Sequence, residues 1–337
     1  MTFAIFRPSI YLVSVLAMML VIGTGSAGVL NQTLSLGTLF IFITYISSFF
    51  DPIQELAEQF GTLQSSLASA GKIFSILDEK PDIVKPAHPV EVNIKGRIEF
   101  RHVWFAYEKD DYILKDISFV IEPGEKVAFV GATGAGKSSI LNLIGRYFDI
   151  QKGEILIDGV NIKDIDTDVL RAAIGQVQQD VFIFTGDIKN NISLDNENIS
   201  IEDVRRAAEI VHADSFIEKM PGGYDAPVTE RGSTLSAGQR QLLSFARTLA
   251  YDPTILVLDE ATANIDTETE ALITSALAKL MEGRTTIMVA HRLSTIQHAD
   301  KIIVMHQGQI KEAGTHQELL AQNGLYRKLY DLQLVEA

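Results

Sequence analysis

A glycine-rich run between an apolar strand and a helix is the strongest chemical signal in the sequence. Residues 126–130 have the composition of a short buried strand, and residues 140–147 that of a helix. Glycines let the backbone turn its N–H groups towards phosphate oxygens, and a helix N-terminus adds a favourable dipole. The pattern G-x-x-x-x-G-K-[ST] therefore predicts a nucleotide-phosphate site, with a lysine on the β- and γ-phosphates and a serine hydroxyl on Mg²⁺. Its residues are Gly131, Ala132, Thr133, Gly134, Ala135, Gly136, Lys137, Ser138 and Ser139.

Three further stretches carry groups that such a domain would use. Residues 235–241 open a helix that is expected to run to about residue 251. Residues 255–258 form an apolar strand that ends in two carboxylates, Asp259 and Glu260, and residues 285–289 form another, followed by His291. In this order and at these separations, the four motifs resemble those of ABC ATPases, the ATP-hydrolysing domains of ABC transporters.

The resemblance implies a role for each carboxylate. Asp259 ends a strand beside the phosphate loop, where it would hold Mg²⁺ through water. Glu260 would deprotonate the attacking water as the general base. The alternative for both is a solvated charge at a strand end. ATP and Mg²⁺ are thus the expected ligands, with Ser138, Asp259 and Gln179 around the metal, directly or through water.

The resemblance also assigns residues around the rest of the nucleotide. His291 would contact the γ-phosphate, although a lone histidine after a buried strand is otherwise a structural residue. Gln179 resembles the Q-loop residue that touches Mg²⁺ and the attacking water, with Gln178 where the family often has proline. Asp266 resembles the D-loop aspartate that contacts the partner subunit. Tyr107 resembles the aromatic that stacks on adenine, the alternative being an ordinary strand aromatic.

Five residues at the start of the helix predicted over residues 235–251 look like the signature motif of this family: Leu235, Ser236, Ala237, Gly238 and Gln239. Ser236 begins a helix, so its hydroxyl and the N–H groups around Gly238 can face a phosphate. In the family this motif closes over the ATP held by a partner subunit, so two ATPs are sandwiched between two ATPase domains. Ala237 adds a methyl group where glycine is usual, which predicts a modest impairment.

An uncharged N-terminal region predicts a membrane hairpin. Residues 8–50 contain no Asp, Glu, Lys, Arg or His, and polar residues 31–33 divide them into apolar runs at 9–30 and 34–50. Because a span takes ~20 apolar residues, the runs are expected to cross the bilayer as an antiparallel pair. A cleaved signal peptide is the alternative. Since ATP is cytosolic, both ends of the hairpin are expected on the cytoplasmic side.

These signals divide the chain into three parts. Residues 1–80 are expected to form a partial transmembrane domain, with a cytosolic helical extension over residues 53–77. Residues 81–96, which contain three prolines, are expected to be a linker. Residues 97–337 are expected to form the ATP-binding domain. The predicted fold is an α/β P-loop NTPase with an antiparallel β portion at 97–125 and a helical insert at 187–250, preceded by an all-α transmembrane hairpin.

Composition excludes some classes of protein. A formal net charge of −14 argues against nucleic-acid partners, whose backbone must be neutralised by lysine and arginine. The absence of cysteine excludes disulfides and thiolate metal sites. A membrane segment ahead of the ATPase domain is the exporter arrangement in the resembled family. We therefore expect an integral protein of the plasma membrane, in contact with lipid, with a cytoplasmic ATPase domain and an exported substrate of unknown class.

Two rival functions stay open. A soluble ABC ATPase of DNA repair or translation is opposed by the uncharged hairpin and the acidic charge. A non-transporting remnant that only binds partner subunits is favoured by the count of two membrane helices, against six per half in this family, which predicts an N-terminal truncation. The expected partner is a second ABC subunit. Ala237 and Asn264 depart from the family pattern, whereas Glu260 matches it. This combination slightly favours a heterodimer over a homodimer.

Overall fold

The computed structural model describes residues 2–109, 111–178, 181–229, 232–259, 267–289 and 299–336. The chain divides into two compact units, Met1–Pro81 and Asp82–Ala337.

The first unit consists of two helices, α1 (Thr2–Leu30) and α2 (Leu36–Leu77). Ser35 caps α2, because its Oγ accepts a hydrogen bond from the Thr38 N–H at 3.0 Å. The helices approach closely at small residues: a Cβ added to Gly25 would lie 2.4 Å from Leu39 Cδ1. α1 begins at Thr2, ahead of residues 9–30 that were expected to cross the membrane, and the candidate span within it is Pro8–Leu30.

Length and composition make both helices candidates to cross a membrane. α2 continues through Pro52 without a break. At ~1.5 Å per residue it is about 63 Å long, roughly twice the thickness of a hydrocarbon core. Large apolar side chains on both helices face outward, and Leu20, Leu30 and Phe40 are 67%, 82% and 70% exposed.

The second unit contains two main sheets, a short strand pair and nine of the described helices. The strands are β1 (Ile98–Phe105), β2 (Leu114–Ile121), β3 (Lys126–Val130), β4 (Lys152–Ile157), β5 (Val160–Asn161), β6 (Ile174–Val177), β7 (Gly186–Asp187), β8 (Pro227–Val228), β9 (Ile255–Asp259), β10 (Thr285–Val289), β11 (Lys301–His306) and β12 (Gln309–Gly314). The helices are α3 (Lys137–Ile144), α4 (Thr167–Ala172), α5 (Ile188–Ser193), α6 (Ile201–Ile210), α7 (Asp214–Ile217), α8 (Ala237–Ala250), α9 (Thr267–Leu280), α10 (His316–Gln322) and α11 (Leu325–Glu336), with a 3₁₀ turn at Gly223–Asp225.

The larger sheet has six strands in the order β12–β11–β3–β10–β9–β6. All neighbours are parallel except β11 and β12. Its central strands β3, β9 and β10 are buried on both faces: Val127 and Phe129 of β3 join one core cluster, and Ala128 and Val130 join the other. This burial explains why the strands are nearly continuous apolar runs in the sequence.

The smaller sheet is antiparallel, in the order β2–β1–β4–β5. Sequence analysis predicted an antiparallel portion at residues 97–125, which covers only β1 and β2. β4 and β5 follow α3 in the chain. β4 returns to pair with β1, for example Phe100 with Ile155, and β5 pairs with β4. The predicted α/β fold with an antiparallel portion is confirmed, and the sheet is larger than expected.

Helices α5 to α8 pack together, and the β7–β8 pair lies between α4 and α8 in sequence. α6 and α8 make the closest pair among them. These helices are the predicted helical insert.

From Asp82 onward, the segment predicted as a linker is part of the second unit. None of residues 82–97 is helix or strand. The Val90 N–H donates to the Asp164 carbonyl at 2.8 Å. The N–H groups of Lys95, Gly96 and Arg97 donate to the Asp158 carboxylate at 2.8, 3.1 and 3.1 Å. We call residues 82–97 the strap.

Candidate functional site

Four parallel strands end at one edge of the six-stranded sheet. β3 ends at Val130, β10 at Val289, β9 at Asp259 and β6 at Val177. Asp259 is in register with Val289, which is in register with Phe129 of β3. Because neighbouring strands lie ~4.8 Å apart, Asp259 is about 10 Å from the strand that leads into the glycine loop. Asp259 is half-buried, whereas the rest of β9 is buried.

The loop after β3 needs glycine at two positions. Gly136 has φ of 101°, and a Cβ there would lie 2.6 Å from Leu114 Cδ2. A Cβ on Gly131 would lie 2.3 Å from the Met305 carbonyl oxygen. The loop is therefore pressed against β2 and β11. Its outer residues are exposed: Ala132, Thr133 and Gly134.

Lys137 begins α3 with its ammonium held inside the loop. The residue is 6% exposed, and its Nζ donates to the carbonyl oxygens of Gly131 and Ala132 at 2.7 and 3.1 Å. Gly136 is the N-cap of α3 and provides no side-chain cap. Ser138 follows on the helix with an exposed side chain. A cation and a helix N-terminus without a side-chain cap, both beside an exposed loop, suit an anionic ligand.

The signature residues form an exposed helix start. Ser236 caps α8: its Oγ accepts from the Gln239 N–H at 3.2 Å, and its own N–H donates to Gln239 Oε1 at 2.9 Å. Ser236 and Ala237 are exposed, whereas Leu235 and Gly238 are buried. The N-terminus of α8 is thus open on the surface of the unit.

Tyr107 lies just beyond β1, beside the helix that follows the glycine loop. Its hydroxyl is 3.3 Å from Ser139 Oγ and accepts a hydrogen bond from Asn142 Nδ2 at 3.3 Å. Its ring centroid is 4.7 Å from that of Phe105 and 4.9 Å from that of Phe148, both in edge-to-face contacts. The residue is 45% exposed. The structure therefore brings together the predicted base-binding aromatic and the phosphate-loop helix.

Four predicted site residues lie outside the described residues: Gln179, Glu260, Asp266 and His291. Their proposed roles rest on the sequence and on the described strand ends that precede them. Two residues beside Tyr107, Asn142 and Phe148, were not among the site residues predicted from the sequence. The available signal for Asn142 was its position three residues after Ser139, which puts both on one face of α3.

Comparison with known proteins identifies the family. Residues 114–263 match the family described as ABC transporter. A putative ABC transporter ATP-binding protein of Streptococcus pneumoniae is 50% identical over 305 residues, which cover 89% of this chain and 51% of that protein. A probable multidrug resistance ABC transporter ATP-binding/permease protein of Bacillus subtilis is 49% identical, over 89% of this chain and 44% of that protein.

A relative from a third organism and a solved structure agree with this. The ATP-dependent lipid A-core flippase of Desulfotalea psychrophila is 43% identical, over 93% of this chain and 55% of that protein. A solved structure of a bacterial Atm1-family ABC exporter with ATP bound is similar with a TM-score of 0.74 and 38% identity, over 96% of this chain and 56% of that one. The chain spans about half the length of the curated relatives that it matches. Residues 114–263 belong to the ABC transporter family, and the relatives of the chain are exporter-type ATP-binding/permease proteins.

Proposed function

We propose that this chain binds ATP with Mg²⁺ and hydrolyses it as a subunit of an ABC exporter, in which hydrolysis is coupled to export of a substrate across the membrane. One observation carries the proposal: the glycine loop after β3 and the carboxylate of Asp259 lie at the same edge of one parallel sheet, two strands apart. In open α/β sheets, ligands bind outside the carboxyl ends of the strands.

The phosphate side of the site fits a triphosphate. The Lys137 ammonium now donates to two backbone carbonyls. Phosphate oxygens are anionic and accept stronger hydrogen bonds than carbonyl oxygens. We infer that the ammonium turns from the loop carbonyls to the β- and γ-phosphates, while the N–H groups of the loop and of the first turn of α3 bind the remaining oxygens.

The oxygen groups present fit Mg²⁺, which prefers oxygen ligands. The exposed Ser138 hydroxyl at the start of α3 and the half-buried Asp259 carboxylate would hold it, with Gln179 as a further ligand. When bound, Mg²⁺ neutralises charge on the phosphates. Glu260 follows Asp259 and would take a proton from the attacking water, and His291, two residues beyond β10, would contact the γ-phosphate.

The exposed start of α8 supports a site shared by two subunits. Ser236 and Ala237 are exposed at the N-terminus of α8, where phosphate is favoured. We propose that this surface closes over ATP bound to a second ABC subunit, with Asp266 contacting that subunit. ATP can bias the membrane helices through this closure only if the open and closed states bind ATP with different affinities.

The first unit supports membrane insertion. Both of its helices present exposed apolar side chains over most of their length. Insertion into lipid would remove this apolar surface from water, which is favourable by about 25 cal/mol of transfer free energy per Å². We propose that residues 8–50 cross the plasma membrane and that the ATPase unit lies in the cytoplasm.

The test is phosphate release by the full chain in lipid nanodiscs, with ATP, in the presence and absence of Mg²⁺. We expect turnover that needs Mg²⁺ and that is lost in the Lys137→Ala and Glu260→Gln variants. Turnover that is equal in the parent and in both variants would come from a contaminant and would contradict the proposal.

A further inference from the structure

Tyr107 lies just beyond β1, where two hydrogen bonds and two ring contacts fix its side chain. The bonds converge on its hydroxyl from α3: Asn142 Nδ2 donates to it at 3.3 Å, and Ser139 Oγ lies 3.3 Å away. One orientation of the hydroxyl satisfies both bonds, since it accepts from the amide and donates to the serine. Phe105 and Phe148 contact the ring edge to face, at interplanar angles of 79° and 86°.

The groups that hold the hydroxyl belong to the phosphate-loop helix. Ser139 and Asn142 are three residues apart on α3 and therefore share a face. Ser139 is buried and Asn142 half-buried. The same helix begins with Lys137, whose ammonium lies in the glycine loop. The position of the Tyr107 ring is thus fixed relative to α3, the helix that would bind the phosphates.

We infer that Asn142 is a positioning residue for nucleotide binding: it holds the Tyr107 ring so that its open side stacks on the adenine base. This inference rests on the ATP binding proposed above. A ring that is fixed before the base arrives loses little side-chain freedom on binding. The entropy cost of ordering the ring is therefore small, and ATP binds more tightly. Stacking on a tyrosine face does not require the hydroxyl itself, so the amide acts only through the ring's position.

The two halves of the nucleotide separate this role from a structural one. ATP uses both the base and the phosphates, whereas inorganic tripolyphosphate uses the phosphates alone. Loss of one net hydrogen bond corresponds to about a three- to tenfold change in an equilibrium constant. We expect Asn142→Ala to weaken ATP binding by about that factor and to leave tripolyphosphate binding within about twofold.

The experiment measures both affinities by calorimetry on the full chain in nanodiscs, for the parent and for Asn142→Ala, Tyr107→Phe and the double variant. Because phenylalanine has no hydroxyl for the amide to hold, the double variant should bind ATP as Tyr107→Phe does. Asn190→Ala is the matched control, since Asn190 is also a half-buried helical asparagine, on α5, which packs against α8. It should change neither affinity.

Each outcome decides the question. Unchanged ATP affinity in Asn142→Ala would overturn the inference while leaving the proposed function intact. Equal losses for ATP and tripolyphosphate would also overturn it, because the amide would then act on the helix rather than on the ring. Additive effects in the double variant would show that Asn142 does not work through the Tyr107 hydroxyl. A parent that does not bind ATP would refute the proposed function, and this inference with it.

Discussion

The guanidinium of Arg146 donates a hydrogen bond to the carbonyl of Val84, 62 residues earlier in the chain, at 3.2 Å. The same guanidinium donates to the Lys163 carbonyl and to the Asp149 carboxylate, each also at 3.2 Å. Arg146 is only 4% exposed and lies just after α3. Arg146 therefore joins the strap to the C-terminal end of α3, the end away from the glycine loop. The helix dipole also favours a cation at that end.

Arg146→Ala should destabilise the second unit. The substitution takes the charged donor away from two backbone carbonyls and a partly buried carboxylate, which costs about 2 kcal/mol of unfolding free energy. For a unit of this size, that lowers the thermal midpoint by about 4–8 °C. The fluorescence of Trp104, the only tryptophan in the sequence, reports on this unit alone because Trp104 lies on β1.

Lys85→Ala is the control for that prediction. Lys85 belongs to the same strap and pairs with Asp168, but both side chains are more than half exposed. Exposed ion pairs contribute little to stability. An equal shift of the midpoint in both variants would show that the strap is not held mainly by Arg146.

Lys137→Ala should remove most ATP binding. The phosphates would lose a charged donor in a site where the ammonium is already buried, and charge-assisted hydrogen bonds are about twice as strong as neutral ones. We expect at least about a tenfold loss of affinity for a fluorescent ATP analogue. Lys311→Ala removes the same charge from an exposed position on β12 and should bind as the parent does. Unchanged affinity in Lys137→Ala would refute the assignment of the phosphate loop.

Gly131→Ala should lower stability and ATP affinity more than Gly134→Ala does, although both glycines lie in the same loop. A methyl group on Gly131 would meet the backbone oxygen of Met305 at 2.3 Å, and backbone cannot move aside as a flexible side chain can. Gly134 has φ of 80° with open space around it, so its substitution costs only about 1–2 kcal/mol of backbone strain. The Trp104 midpoint and the ATP affinity should both fall further in Gly131→Ala. The reverse order would show that the loop does not pack on β11 as described.

Much of this site was predictable from the sequence because its strands are buried on both faces. β3, β9 and β10 appear as short apolar runs, and each is followed directly by a chemical motif. The start of α8 was predictable for a local reason, since Ser236 and Gln239 are spaced as a capping box. Such signals are contained within a few residues, so they survive without knowledge of the tertiary fold.

The features that were missed are contacts between distant segments. β4 carries no local sign that it returns to pair with β1 on the other side of the glycine loop. The prolines of the strap predict only a break in regular structure, whereas its position depends on the Arg146 guanidinium. Asn142 is an ordinary helical residue until α3 is packed beside Tyr107. Each of these contacts required the packed unit, because the local sequence does not say which distant segment an element will meet.

Glu260→Gln should keep ATP affinity and lower turnover by about 10²–10⁴, the range expected for a general base. Glutamine has nearly the same shape but cannot take a proton from water. Phosphate release and analogue binding measure the two effects separately. Glu282→Gln removes a carboxylate from an exposed position after α9 and should hydrolyse ATP at the parent rate. If Glu260→Gln also keeps that rate, another residue is the base.

ATP turnover should require two chains, each completing the site of the other. Lys137 and Ser236 lie 99 residues apart, the first inside the glycine loop and the second on an exposed helix start. Turnover per chain should therefore fall on dilution of the protein in detergent. Complementation is the sharper test. Ser236→Asp retains a good N-cap but places a negative charge where a phosphate should bind. Alone, Ser236→Asp and Lys137→Ala should both be inactive.

Mixing these two variants should restore turnover. In a mixed pair, one site combines the intact Lys137 of one chain with the intact Ser236 of the other, while the second site carries both changes. With random pairing, half of the pairs are mixed and each has one intact site, so the mixture should recover up to about a quarter of the parent rate. A site built within a single chain would have one defect in every copy, and its mixture would stay inactive at all ratios. That result, together with turnover per chain that does not change on dilution, would exclude a shared site.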